Sequence, residues 1–212
     1  MKEITEEMLA SLSEQIFQQM SPKRFAHTLA VEEMVARLCN LFCPEYTMEM
    51  RAAALLHDIT KEWDNQKQEN FCLQNGLLVT NAERQSPKTF HARTAAILIP
   101  LEYSAFSTPT VLSAVRWHTT GREKMSLCER LLYLADYIDT TRIFESCVIL
   151  RRYFWGANPS DMTVEERLSL LRDTLILSFQ FTIRDLLEER KVIAEDTFKA
   201  FNSLLLEASV KG

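Results

Sequence analysis

The sequence predicts an all-α protein. Apolar residues recur at spacings of three and four rather than two, helix-start signals are frequent, and glycine occurs only four times in 212 residues. No alternating stretch reads as a strand, and no internal repeat is present. The first 20 residues place Ile4, Met8, Leu12 and Ile16 on one face and read as a loosely attached leading helix, ahead of a single domain over 21–212. That segment could dock a partner, but packing on its own domain is the simpler reading.

The domain opens at Ser21-Pro22, a capping hydroxyl before a proline at the first helical position. The stripe Val31, Val35, Leu38, Phe42 follows, then a second one of Met48, Ala52, Leu55, Ile59. Residues 76–90 read as a long loop, and a short apolar helix over 92–99 comes after it. Thr108-Pro109 marks the next start. Ser126-x-x-Glu129 and Thr163-x-x-Glu166 read as capping boxes. They open the stripes Leu127, Leu131, Leu134, Ile138 and Leu168, Leu171, Leu175, Phe179, with a second loop over 156–162 between them.

Composition excludes several classes. A net charge of −5 and a pI near 5.5 argue against non-specific nucleic-acid binding. The longest apolar stretch, Ala95 to Leu101, is short and interrupted by Pro100, so no segment spans a bilayer. The start Met1-Lys2-Glu3-Ile4 lacks the order of a signal peptide. Five cysteines without a C-x-x-C pair suit a reducing compartment, and the protein reads as cytoplasmic. Cys39 and Cys43 lie one helical turn apart, but no second ligand pair accompanies them, and they read as core thiols. Four scattered glycines rule out a glycine-rich phosphate loop.

The polar residues inside the apolar pattern carry the chemistry. The run Ala52-Ala53-Ala54-Leu55-Leu56-His57-Asp58-Ile59-Thr60-Lys61 delivers an adjacent His-Asp pair into the interior, where neither side chain is normally found alone. His27 falls on the stripe of Val31, Met34, Val35, Leu38 and Phe42, at about 100° per residue. His118 follows Val111, Ala114 and Val115 at helical spacing. His91 precedes the apolar helix 92–99, and Asp136 interrupts Leu131 to Ile138. Any one of these alone is more simply a hydrogen-bonded core residue. Together they place every histidine of the chain beside an apolar helical face, with two interior carboxylates and no equally interior lysine or arginine. A mixed nitrogen–oxygen set of this kind suits iron, manganese or zinc, and it suffices for two metals if Asp58 bridges them.

The order His27, His57-Asp58, His91, His118, Asp136 resembles the H…HD…H…H…D pattern of two-metal HD-domain phosphohydrolases. The words Arg24-Phe25-Ala26-His27-Thr28-Leu29, Leu55-Leu56-His57-Asp58-Ile59-Thr60-Lys61, His118-Thr119-Thr120-Gly121-Arg122 and Tyr133-Leu134-Ala135-Asp136-Tyr137-Ile138 narrow the resemblance to YqeK-type symmetrical bis(5'-nucleosyl)-tetraphosphatases, over roughly residues 20–205. The resemblance implies an HD-domain helical bundle with a two-metal site between core helices. It further implies two divalent metal ions, iron foremost, and central cleavage of diadenosine tetraphosphate to two ADP by a hydroxide bridging the metals. One metal would take His27, His57, Asp58 and Asp136, the other His91 and His118 with Asp58 shared. Asp58 and Lys61 would be the catalytic residues. Arg24, Lys61, Thr119, Thr120, Gly121, Arg142 and Thr182 would contact the substrate, with Gly121 letting phosphate approach the backbone. For Arg93, Arg116 and Arg122 a solvated surface role weighs at least as much as phosphate contact, and Phe179, Phe181 and Phe201 read as core rather than as a base-stacking platform.

The chain departs from the family's usual words at His91-Ala92-Arg93, Phe144-Glu145-Ser146-Cys147, Ile193-Ala194-Glu195-Asp196-Thr197 and Ala200-Phe201-Asn202. None of these departures removes a metal ligand; all bear on the nucleotide pocket. A nucleotidase or triphosphohydrolase acting on mononucleotides is a variant of the same chemistry. A non-catalytic nucleotide sensor is the alternative class. The expected partner is a nucleotide; nucleic acid and membrane are not expected, and homo-oligomerisation stays open.

Overall fold

The computed structural model describes residues 3–209, and among them there is no β-strand. The helices are α1 (Glu6–Phe17), α2 (Pro22–Phe42), α3 (Thr47–Leu56), α4 (Asn65–Gln74), α5 (Asn81–Arg84), α6 (Phe90–Glu102), α7 (Pro109–Trp117), α8 (Leu127–Ile138), α9 (Glu145–Gly156), α10 (Val164–Glu188) and α11 (Glu195–Ser209). The expected start signals are used. Ser21 Oγ accepts from Arg24 N, Thr108 Oγ1 from Val111 N, and both expected capping boxes form.

Helix α2 packs on α3 and α8, α3 also packs on α7, and α6 covers α7. Val31, Val35 and Leu38 of α2 meet Leu55 and Leu56 of α3 and Leu131 and Leu134 of α8 in one continuous buried core. These apolar faces hold the backbone that carries the histidines. Helix α1 is docked rather than loose: Ile4, Leu9, Leu12 and Ile16 are buried, Arg51 pairs with Glu6 at 2.5 Å, and Tyr103 donates to Gln19 at 3.0 Å. Met1 and Lys2 lie outside the described residues.

Three local expectations change. The 76–90 segment holds α5, with a Thr80–Glu83 capping box, and a 3-10 turn at Pro87–Thr89. A 3-10 turn at Pro159–Asp161 likewise occupies the 156–162 loop. Pro100 does not end its helix: α6 runs on to Glu102, because a missing N–H near a helix C-terminus forfeits a single hydrogen bond. His91 therefore sits in the first turn of α6 rather than before it.

Gly121 is needed for packing. Its φ is +64°, and a Cβ there would lie 2.8 Å from Phe179 Cζ and 2.9 Å from the Ala200 Cβ. The close neighbours are apolar side chains, a packing reason for the glycine that stands beside the phosphate approach the sequence suggests. Gly121→Ala should lower the unfolding free energy by about 2 kcal/mol or more, through strain plus overpacking. Urea unfolding followed by circular dichroism measures this, and an unchanged midpoint would refute the packing role.

Candidate metal centre

Three helix ends and one helix start converge on the centre. His57 is the C-cap of α3, with Asp58 in the turn after it. His118 is the C-cap of α7. Asp136 lies in the last turn of α8, and His91 in the first turn of α6. His27 projects from the second turn of α2. All four histidines and Asp58 are buried, as the apolar periodicity predicts.

Asp58 divides its carboxylate between two groups of imidazoles. Its Oδ2 lies 3.4 Å from His57 Nε2 and 3.8 Å from His27 Nε2. Its Oδ1 lies 3.2 Å from His91 Nε2 and 3.8 Å from His118 Nε2. Asp136 Oδ1 completes the first group, 3.0 Å from His27 Nε2 and 3.8 Å from His57 Nε2. The two Nε2 atoms of His91 and His118 are 3.0 Å apart.

The other ring nitrogens fix the imidazoles. His57 Nδ1 donates to the Ala54 carbonyl at 2.6 Å and His118 Nδ1 to the Val115 carbonyl at 2.7 Å. Each bond leaves Nε2 turned toward Asp58, where it serves as an N–H donor to the carboxylate or as the lone pair that a ligating histidine needs. His27 Nδ1 is 3.3 Å from Asp139 Oδ2 and 3.3 Å from Thr141 Oγ1. Asp139 is fully buried and also accepts from Thr141 N at 2.8 Å. Sequence reasoning missed it, although its place one helical turn beyond Asp136, and its acidity at the end of an apolar helix, were visible.

The donor set fits divalent cations. Nε2 of His27, Nε2 of His57 and Oδ1 of Asp58 are buried without a hydrogen-bond partner among the described residues, which is costly unless another group completes them. The ligand atoms of His27, His57 and Asp136, and those of His57, Asp58 and His118, lie within 4.8 Å of one another in each set. Nitrogen and carboxylate oxygen together suit first-row transition metals.

The carboxylates are less isolated from basic groups than the sequence suggested. Arg24 Nη1 is 2.5 Å from Asp58 Oδ2 and Arg142 Nη2 is 2.6 Å from Asp136 Oδ1. Periodicity cannot reveal such pairs, because the guanidinium heads arrive from half-exposed positions. Burial would raise the Asp58 pKa, but the imidazoles of His57, His118 and His91 hold it well below the usual carboxylate range. Burial acts the same way on Asp136, where the Arg142 charge and His27 win. Burial takes His91 down to about 4, so it is neutral and ligand-competent at neutral pH. For His27 burial pulls downward too, yet Asp136 and Asp139 beside it push the ring up to about 9.

Beside the centre lies an open cavity of about 360 Å³. Lys61, His118, Thr119, Asp136, Arg142 and Thr182 line it, together with Tyr137, Phe144 of the departing word at 144–147, and Lys88, which sequence reasoning did not single out. Lys61 Nζ is 3.1 Å from His91 Nε2 and 4.0 Å from Asp58 Oδ1, and burial lowers its pKa. Thr119 Oγ1 is 3.0 Å from both His91 Nε2 and His118 Nε2. Thr120 turns away from this cavity, because its hydroxyl donates to the Gly121 carbonyl and its side chain faces a second cavity behind α6 and α7. Arg93 and Arg116 also face that second cavity: Arg93 is buried and paired with Glu83, and Arg116 is half-buried. Arg122 is spent on the buried Glu129, which its Nε meets at 2.9 Å. Cys39 and Cys43 are buried as expected, with Cys128 of α8 beside Cys43. Phe179 is core, while Phe181 and Phe201 are half-buried.

Fold and centre together define a helical protein built around a buried histidine–aspartate site for divalent metal. The chain belongs to the HD domain family, whose model matches residues 24–141. It is 29% identical to "Bis(5'-nucleosyl)-tetraphosphatase, symmetrical" of Halalkalibacterium halodurans over 188 residues, covering 89% of this chain and 92% of that one. The same-named protein of Bacillus subtilis is 26% identical over the same shares. Among solved structures, a protein of Clostridium acetobutylicum described as a predicted HD superfamily hydrolase involved in NAD metabolism superposes with a TM-score of 0.80. It is 27% identical, over 93% of this chain and 97% of that one. Among the described residues no helix is long and apolar enough to cross a membrane.

The raised His27 pKa gives a pH signature to metal-free protein. The folded-state value of about 9 exceeds the unfolded value of 6.5, so the protonated ring stabilises the fold below pH 6.5 and that contribution fades as pH rises toward 9. Chelator-treated protein should lose on the order of 3 kcal/mol across this window. His27→Gln should lose markedly less over the same range. Parallel denaturation profiles for the two proteins would exclude the assignment.

Proposed function

We propose that this HD-domain protein hydrolyses dinucleoside tetraphosphates at their centre, releasing two nucleoside diphosphates, with diadenosine tetraphosphate as the substrate and ADP as the product. The observation that carries this reading is the Asp58 carboxylate, shared between two imidazole groups beside a cavity lined by cationic side chains. The names of the tetraphosphatase relatives support the choice of substrate.

In this reading His27, His57, Asp58 and Asp136 would hold one divalent cation, and His91 and His118, with Asp58 shared, would hold a second. Iron is the metal this reading takes, from the resemblance to the YqeK-type enzymes; the ligand set itself equally accepts manganese or zinc. Bound cations at such a site acidify water and draw charge from phosphoryl oxygens. The chain's own groups do the rest. Arg142 keeps Asp136 ionised, Arg24 pairs with Asp58, and both present guanidinium N–H groups to phosphate. Lys61, held beside His91, meets phosphate charge from the opposite side. Thr119 Oγ donates to a phosphoryl oxygen, and Thr182 on α10 lies where the nucleoside end of the substrate reaches. Water adds to a phosphorus next to the central bridging oxygen, its proton passing to solvent. The bridging P–O bond then breaks, and the second ADP departs with its charge balanced by the arginines and Lys61. Asp139 and Thr141 act through His27, holding its ring in register.

The test is anaerobic purification, a metal count per chain, and assay with diadenosine tetraphosphate. Two metals and ADP as sole product are expected; equimolar AMP and ATP would sink symmetrical cleavage, and full metal load without turnover would favour a nucleotide sensor. NAD belongs in the same assay, given the description of the clostridial relative. Asp58→Ala should abolish both metal sites, and retention of two metals would refute the shared carboxylate. Arg142→Gln should lower kcat/KM by about tenfold or more, the worth of one charge-assisted hydrogen bond. Steady-state kinetics reads this directly.

A further inference from the structure

The second cavity, of about 130 Å³, lies behind the metal centre, on the reverse side of α6 and α7. Arg93 is two residues beyond His91, while Arg116 and Thr120 flank His118 at two residues on either side. Ala194 and the first turn of α11, Glu195 and Asp196, close the cavity.

Unused N–H donors gather there. Arg93 has Nη1 paired with Glu83 and Nη2 donating to the Leu78 carbonyl at 3.1 Å, but its buried Nε meets no acceptor. Arg116 makes no hydrogen bond and no ion pair among the described residues; its guanidinium rests on the Trp117 ring, 3.9 Å from the centroid. The opening N–H groups of α11 have no side-chain cap either, since the preceding residue is Ala194. Burial and the neighbouring Arg93 charge depress the Arg116 pKa to about 10, still well above neutrality.

The acceptors on the rim are mostly engaged. Glu83 serves Arg93 and Thr80, and Glu195 pairs with Lys199 at 2.7 Å. The hydroxyls of Ser86, Thr89 and Thr120 each donate to a backbone carbonyl. Asp196 alone of the three acids has no ion pair among the described residues. A guest that accepts several N–H bonds and gives one proton to Asp196 would satisfy these groups together. The volume admits one tetrahedral ion and excludes a nucleoside.

We propose that this cavity is a second, non-catalytic anion site that takes inorganic phosphate in its protonated form. Arg116 and Arg93 Nε are the main donors, the α11 N-terminus assists them, and Asp196 accepts the phosphate O–H. The carboxylate sets the choice of ion, because sulfate has no proton to offer at neutral pH and meets Asp196 as like charge. The site stands on the helices that carry His91 and His118, and it is independent of what the metal centre cleaves.

Trp117 is the local reporter. Full-length, metal-loaded protein labelled with fluorotryptophan is titrated with phosphate, sulfate and ADP by fluorine NMR, with the Trp117 signal identified from Trp117→Phe. A saturable shift with phosphate is expected, and sulfate should be weaker by about tenfold, the worth of one hydrogen bond to a charged group. The shift should vanish in Arg116→Gln and persist in Arg142→Gln, which perturbs the catalytic cavity instead. Should Arg116→Gln fail to fold, Arg116→Lys keeps the charge without the fork and should weaken phosphate by a similar factor. The proposal falls if Trp117 does not respond, if the response follows Arg142 rather than Arg116, or if sulfate matches phosphate. An equal response to ADP in Arg142→Gln would also overturn the assignment to the free ion.

Discussion

Burying one carboxylate is the constraint on which this molecule depends. Asp58 is almost fully enclosed, and an unpaired charge there would oppose folding by several kcal/mol. The chain answers with four imidazoles and the Arg24 guanidinium, brought from four different helices to the two oxygens. Every helix that contributes one must be held at a fixed angle. The surrounding apolar core of α2, α3, α7 and α8 is therefore the frame of the centre as well as the source of stability.

The parts of this arrangement that obey helical periodicity were legible in the sequence. Each histidine announced itself by falling on or beside an apolar stripe, and His57-Asp58 by ending one. The capping hydroxyls of Ser21, Thr108, Ser126 and Thr163 fixed where the helices start, and all four do so. What stayed hidden depends on contacts between elements remote in sequence. Arg24 meets Asp58 across 34 positions, and Gly121 is confined by Phe179 and Ala200. The direction in which Thr120 turns, and the burial of Arg93 against Glu83, likewise follow from how α6, α7 and the 76–90 segment pack.

The neighbourhood of α8 shows how structural and chemical roles share residues. Its capping box is buried rather than exposed: Glu129 accepts from Ser126 N at 2.7 Å while also taking the Arg122 guanidinium. That fixes the start of the helix. Its far end then carries Asp136 and Asp139, one facing His57 and the other steadying His27. A rigid rod anchored at one end delivers two carboxylates to a place where small displacements matter.

The helix ends that meet at the centre bring a further effect. Helices α3, α7 and α8 all reach it by their C-termini, where aligned peptide dipoles leave the equivalent of about half a negative charge each. The backbone field at the core of the protein thus draws in cations before any side chain is counted, and it repels the polyanion to be cleaved. Such a field favours loading metal first and admitting phosphate second. It also gives a reason for Arg24, Lys61 and Arg142 to stand where they do, as a positive collar around a negative throat.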